Sequence, residues 1–137
     1  MKRVAITGAG TVNALGHSVP ETLEAMREGT CGIGPLELRD ADRLAIKIGG
    51  QVRGFESEGL YNRQQISLYD RFTQFTLAAA NEAVAQSGLQ FHGELAAQSG
   101  VILGTAGGGA NTRDANYRLV YEEGKNRVHP FVVPKLM

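Results

Sequence analysis

The chain has 137 residues, of which 42% are hydrophobic and 20% charged, and its 14 basic residues balance its 14 acidic ones. That balance excludes a global field that would recruit nucleic acid or an anionic membrane, and the hydrophobic content excludes intrinsic disorder. The length suits one domain with its own core, and the 18 glycines, among them the pair Gly49–Gly50 and the triplet Gly107–Gly109, punctuate the apolar runs as tight turns do.

In chain order, residues 3–7 ("RVAIT") are short, apolar and bounded by "GAG", which predicts a buried strand. The N-terminus passes straight into it, without the longer apolar stretch and cleavage pattern of a signal peptide. A helix is predicted over residues 19–28. Ser18 caps it, Pro20 suits its first turn, and Glu21 and Glu24 lie near the positive end of its dipole. Leu23, Ala25 and Met26 supply its buried face. "GTCGIGP" then reads as a stop and a turn. It holds Cys31, the single cysteine, so no internal disulfide is possible and a reducing compartment is expected.

Residues 45–52 ("AIKIGGQV") predict an interrupted strand with Gly49 and Gly50 at a bend or bulge. The clearest element is the helix in "SLYDRFTQFTLAAANEAVAQSGL". Ser67 and Asp70 resemble a capping box, with Asp in place of Glu or Gln. Tyr69, Phe72, Thr76, Ala79, Ala80, Ala83 and Val84 recur at helical spacing, and Gly88 is placed as the C-terminal cap. The small alanine face admits close approach to a sheet. "SGVILGTA" predicts a second buried strand and "TRDANYRLVYEEG" a second, polar-capped helix. The chain closes on "HPFVVPKLM", apolar and without a helix stop or polar tail. This alternation argues for α/β layering. No segment approaches the roughly 18 uninterrupted apolar residues of a spanning helix, and a cytoplasmic protein is expected.

Two glycine loops invite a nucleotide reading. "GTAGGG" has the outer glycines of a phosphate loop, but Ala110 and Asn111 stand where Lys and Ser/Thr must reach phosphate and magnesium. "TGAGTVNALG" offers a G-x-G after a strand, with Asn13 in place of the third dinucleotide-binding glycine and only Glu37 as a poor acidic partner. A lone G-x-G after a strand is weak evidence, and a turn in any α/β fold is the better reading of that loop. His17, His92 and His129 show no metal-ligand pattern, and Cys31 has no histidine near it in sequence. The residues alone display no catalytic constellation.

Taken together, "RVAITGAGTVNALG", "YDRFTQFTLAAANEAVAQSGL", "SGVILGTAGGG" and "VHPFVVPKLM" resemble, in order and spacing, the N-terminal portion of β-ketoacyl-acyl-carrier-protein synthases. These are the elongating condensing enzymes of fatty-acid and polyketide synthesis. The resemblance implies an incomplete thiolase-like α/β/α/β/α layered fold, with residues 1–137 forming the N-terminal part of the synthase N-terminal domain, truncated before the nucleophile. It implies acyl transfer to a cysteine, decarboxylation of a malonyl thioester and carbon–carbon bond formation, with no cofactor. In the family the nucleophile and both catalytic histidines lie beyond the "PKLM" segment, so no catalytic residue is expected in this chain and Cys31 does not correspond to the nucleophile.

The resemblance also implies site residues. Gly107 stands in a glycine turn beside the acyl pocket, where relatives carry a bulky aliphatic gate or glycine. Phe131 and Val132 fall where the family's "PF" segment lines that pocket across a dimer interface. Arg63, Lys125 and Arg127 match part of a basic pattern that meets the acidic acyl carrier protein, while Gln64, Ser67 and Leu68 replace basic positions of some members. A solvated charged face accounts for the same three residues. Homodimer formation is implied for the complete protein. Two alternatives stay open: a non-catalytic homologue that pairs with an active synthase and shapes product length, and a small nucleotide-binding α/β domain.

Overall fold

The computed structural model describes residues 3–137. In chain order it contains α1 (Val19–Arg27), β1 (Ile33–Pro35), a 3-10 turn (Ala41–Arg43), β2 (Ile48–Gly50), α2 (Arg63–Leu68), α3 (Arg71–Ser87), α4 (Gly93–Ala97), α5 (Ala110–Tyr121) and α6 (Val132–Leu136). The residues group into two compact units. One takes the chain up to Glu56 together with Phe75–Gly88, the other Ser57–Gln74 with Leu89–Met137.

In the first unit α1 begins as its sequence dictates. Ser18 Oγ accepts the N–H of Glu21 at 3.3 Å, Pro20 lies in the first turn, and Arg27 faces the negative end of the dipole. Ala25 is buried, whereas Leu23 and Met26 stay exposed. β1 and β2 pair antiparallel, with Ile33 opposite Gly50 and Pro35 opposite Ile48. Glu37 ties this hairpin to the following chain, accepting from Arg53 Nε at 2.7 Å while Arg53 Nη2 donates to Pro35 O. Phe55 is buried between two edge-on rings, His17 and Phe75. The alanine face of α3 is closely approached, though by a turn and not a strand. A Cβ on Gly8 or Gly10 would fall onto the carbonyl oxygens of Ala83 and Ala79, so only glycine permits this contact.

The long helix expected from the sequence is broken near its start. α2 ends at Leu68, Tyr69 turns extended, and α3 starts at Arg71. The capping box lies one turn earlier than Ser67 and Asp70: Asn62 Oδ1 accepts from Gln65 N, and Gln65 Oε1 accepts from Asn62 N, both at 2.9 Å. Gly88 terminates α3 with φ +65°, as the sequence implied.

The strands expected at residues 3–7 and in "SGVILGTA" are not formed. Among the described residues the only strands are β1 and β2, and Val4, Ile6, Val101 and Ile102 are almost wholly exposed. Apolar composition states what a segment can bury. A strand also needs neighbours for its N–H and C=O groups, and these segments have none. Correspondingly, Ala25, Phe55 and Tyr61 are the only buried apolar side chains among the described residues.

Candidate functional site

The loop of residues 8–16, which carries the G-x-G, is organised from within. Asn13 Nδ2 donates to Thr11 Oγ1 at 3.0 Å and to Thr22 Oγ1 at 2.9 Å, and Asn13 Oδ1 accepts the N–H of Leu15 at 2.7 Å. Glu82 then takes the positions where an anion would dock. Its Oε1 accepts the N–H of Val19, at the first turn of α1, and its Oε2 accepts the N–H of Thr11. Gln86 Oε1 accepts from Ala9 N. The amides that would greet a phosphate are bound to side chains of this chain.

The glycine turn of the second unit repeats the arrangement. Gly108 has φ +55°, and Gly109 donates its N–H to Leu136 O at 2.9 Å. A Cβ on Gly109 would stand 2.6 Å from Lys135 O and 3.1 Å from Asp70 Oδ2. The glycines thus serve close packing against α6. α5 has no cap from its own N-cap residue, Gly109, contrary to the polar cap its sequence suggested. Instead Asp70 Oδ2, on a side chain only 4% exposed, accepts the N–H of Thr112 at 2.8 Å. A carboxylate at the helix N-terminus satisfies an orphan donor and complements the dipole.

Beside this contact lies a cavity of about 590 Å³, with Ile66, Leu68, Phe131 and Val132 among its apolar lining and Asp70, Thr112 and Lys135 among its polar lining. Lys135 Nζ donates to Ser67 O at 2.9 Å, placing a cation at the C-terminal end of α2. Gln74, also buried, braces the break between α2 and α3. Its Oε1 accepts from Ser57 Oγ, its backbone oxygen from Tyr61 OH, and its Nε2 donates to Tyr69 O at 3.1 Å.

Of the residues singled out in the sequence, Phe131 and Val132 are brought together at the start of α6 and line this cavity. Gly107 is exposed in the turn, its carbonyl accepting from Arg113 Nη2 at 3.3 Å, and it is not part of the lining. Arg63 opens α2, while Lys125 and Arg127 lie between α5 and α6, all three exposed. Lys125 pairs with Glu123 at 2.9 Å. Cys31 is exposed and its Sγ meets Ile33 O at 3.8 Å. His129 Nδ1 accepts from Phe131 N at 3.2 Å. The contacts of Asp70 and Lys135 are not legible in the sequence, because their partners are backbone groups that no side-chain pattern announces. Among the described residues no group of three or more His, Cys, Asp and Glu is placed to hold a metal, and no helix is long and apolar enough to cross a membrane.

Comparison with known proteins places this geometry. The 3-oxoacyl-(acyl-carrier-protein) synthase 2 of Synechocystis sp. is 29% identical over 136 residues, covering 99% of this chain and 33% of the relative. Its namesakes in Staphylococcus aureus (strain N315) and Vibrio cholerae are each 32% identical, over 99% and 97% of the chain and 33% and 32% of the relatives. The chain thus spans about a third of the length of these curated relatives. A solved structure described as the ishigamide ketosynthase/chain length factor superposes with a TM-score of 0.80 at 22% identity, over 99% of this chain and 34% of that one. A β-ketoacyl synthase from Burkholderia phymatum STM815 superposes at 0.74 with 25% identity, over all of this chain and 34% of its own. The fold is that of the N-terminal part of thiolase-like ketosynthases. Residues 1–137 match the model of the β-ketoacyl synthase N-terminal domain, and the chain belongs to that family.

Proposed function

We propose that this chain is the N-terminal part of a β-ketoacyl-acyl-carrier-protein synthase that condenses an acyl thioester with malonyl-acyl-carrier protein, with loss of carbon dioxide. The observation that carries the reading is the match of the synthase N-terminal domain to all of residues 1–137. The geometry supports it in one respect: Phe131 and Val132, the expected acyl-pocket residues, line a cavity beside the packed glycine turn. In this reading Gly107 borders the pocket and Arg63, Lys125 and Arg127 meet the carrier protein. The complete protein is a cytoplasmic homodimer. The 137 residues supply scaffold and pocket wall, and the thiolate and the histidines that act with it come from the rest of the protein.

The test is to assay the complete protein and the 137-residue chain with acyl- and malonyl-carrier protein. The complete protein is expected to form the β-ketoacyl product and the 137-residue chain none. Cys31→Ser is expected to leave turnover intact; turnover abolished by that change would make Cys31 the nucleophile and overturn the assignment.

A second reading is a non-catalytic partner subunit. It is kept open because the structure superposed at 0.80 is described as both a ketosynthase and a chain length factor, and the shared fold suits either. The residue at the nucleophile position of the complete protein separates the two: cysteine for the enzyme, another residue for the partner. A nucleotide-binding domain is disfavoured by Glu82 and Asp70, which hold the helix N-termini a phosphate would need. Titration with NAD(P)H and ATP is expected to show no saturable binding.

A further inference from the structure

We propose that Asp70 is a positioning residue that sets acyl-chain-length selectivity by fixing the 107–109 turn through the first turn of α5. The inference rests on the acyl-pocket reading of that turn. Its basis is a chain of contacts within the second unit. Gln74 holds the Tyr69 carbonyl at 3.1 Å, immediately before Asp70, and is itself held by Ser57 Oγ at 2.6 Å. Asp70 Oδ2 in turn holds the N–H of Thr112 at 2.8 Å and stands against Gly109. Gly109 has no side chain with which to cap α5, so the Asp70 carboxylate supplies the cap from outside the helix.

Gly107, two residues before Gly109, has open space where a Cβ would be. Side-chain packing therefore does not locate it. Hydrogen bonds hold it instead: its carbonyl accepts from Arg113 Nη2 at 3.3 Å, and the next N–H, of Gly108, is held by Thr105 Oγ1 at 3.0 Å. The far end of the turn is anchored by Gly109 N–H on Leu136 O and Thr112 N–H on Asp70, where Arg113 also sits in the first turn of α5. Asp70 also lines the cavity that Phe131 and Val132 share. A loosened anchor lets the turn shift relative to those residues. Long acyl tails, which reach furthest along the pocket, lose more than short ones.

The experiment compares kcat/KM of the complete protein, wild type and variants, over a series of acyl-carrier-protein lengths. Asp70→Ala is expected to lower the ratio of long-chain to short-chain kcat/KM by about tenfold, the scale of a lost helix cap. Asp70→Asn, which keeps an acceptor oxygen in place, is expected to restore most of that ratio. Should Asp70→Ala not fold, Asp70→Ser replaces it, leaving a polar group but withdrawing it from Thr112. A wild type that condenses, together with a variant that loses activity equally at every length, overturns the positioning role and leaves the proposed function standing. An Asn variant with the same lowered ratio as Ala also overturns it. A wild type that condenses no acyl thioester at any length overturns the function, and the selectivity with it.

Discussion

Glu82 Oε1 accepts the N–H of Val19 at 2.7 Å, while Oε2 of the same carboxylate accepts the N–H of Thr11 at 2.9 Å. One side chain on α3 thereby caps α1 and fastens the loop before it. Two backbone donors depend on two oxygens of like charge. Glu82→Gln keeps one acceptor and turns an amide N–H₂ toward the other donor, so it is expected to release one contact. Glu82→Ala releases both. Losing charge-assisted bonds at a helix start costs roughly 1–3 kcal/mol, or about 5- to 150-fold in local opening. Amide exchange at Val19 and Thr11 reads this directly. The expected order of protection is wild type, then Gln, then Ala; unchanged exchange in the Ala variant would show that the loop is held by its contacts to Asn13 and Gln86 without Glu82.

A second prediction concerns Gly10. A Cβ there collides with the carbonyl oxygen of Ala79, a backbone atom of α3 that cannot rotate away. Gly10→Ala is expected to lower stability by at least the ~1–3 kcal/mol of ordinary overpacking, seen as a fall in the melting temperature of the complete protein. Gly107→Ala is the control, since nothing lies within 4 Å of its Cβ position. Equal melting temperatures for the two variants would mean that the contact between residues 8–10 and α3 is not held in solution.

These two cases mark what the sequence made legible. Ser18, Pro20 and Gly88 act locally, through their own helix, and each was readable from its neighbours in the chain. The alanine face of α3 was readable as a place of close approach, but not what approaches it. Asp70, three residues after Ser67, has the spacing of a local capping box, whereas its carboxylate reaches Thr112, 42 residues away. The capping box at Asn62 and Gln65 carries the N-x-x-Q signal within its own stretch of chain. Residues 3–7 and 101–103 read as buried because they are apolar. Burial needs a second surface, which no single segment encodes.

Those segments motivate a third prediction. Val4 is 95% and Val101 94% exposed, with Ile6 and Ile102 alongside them in their respective segments. Exposed apolar runs with unpaired backbone invite pairing between chains. The 137-residue chain is therefore expected to self-associate, with scattering mass rising with concentration. Ile6→Lys and Ile102→Lys are each expected to reduce that rise. A strictly monomeric species with a sharp cooperative melt would contradict the expectation.

The last prediction concerns Gly107→Ile in the complete protein. The position has no left-handed φ and no atom within 4 Å of its Cβ direction, so the backbone of this chain accepts an aliphatic side chain without strain. Any penalty then comes from what enters the space, which in the proposed function is the acyl tail. Competing for that volume costs roughly 1–3 kcal/mol by analogy with core overpacking, which is about 5- to 150-fold in rate. kcat/KM is expected to fall by that factor for long primers and to change little for primers that end before the turn. The effect differs in kind from that of Asp70→Ala, because Ile fills space while the Asp70 variant loosens the wall around it. In the double variant the two losses are expected to be non-additive on long primers, as for neighbouring sites that share a cavity. A loss of equal size at every acyl length has no source in backbone strain here. It would remove Gly107 from the acyl pocket.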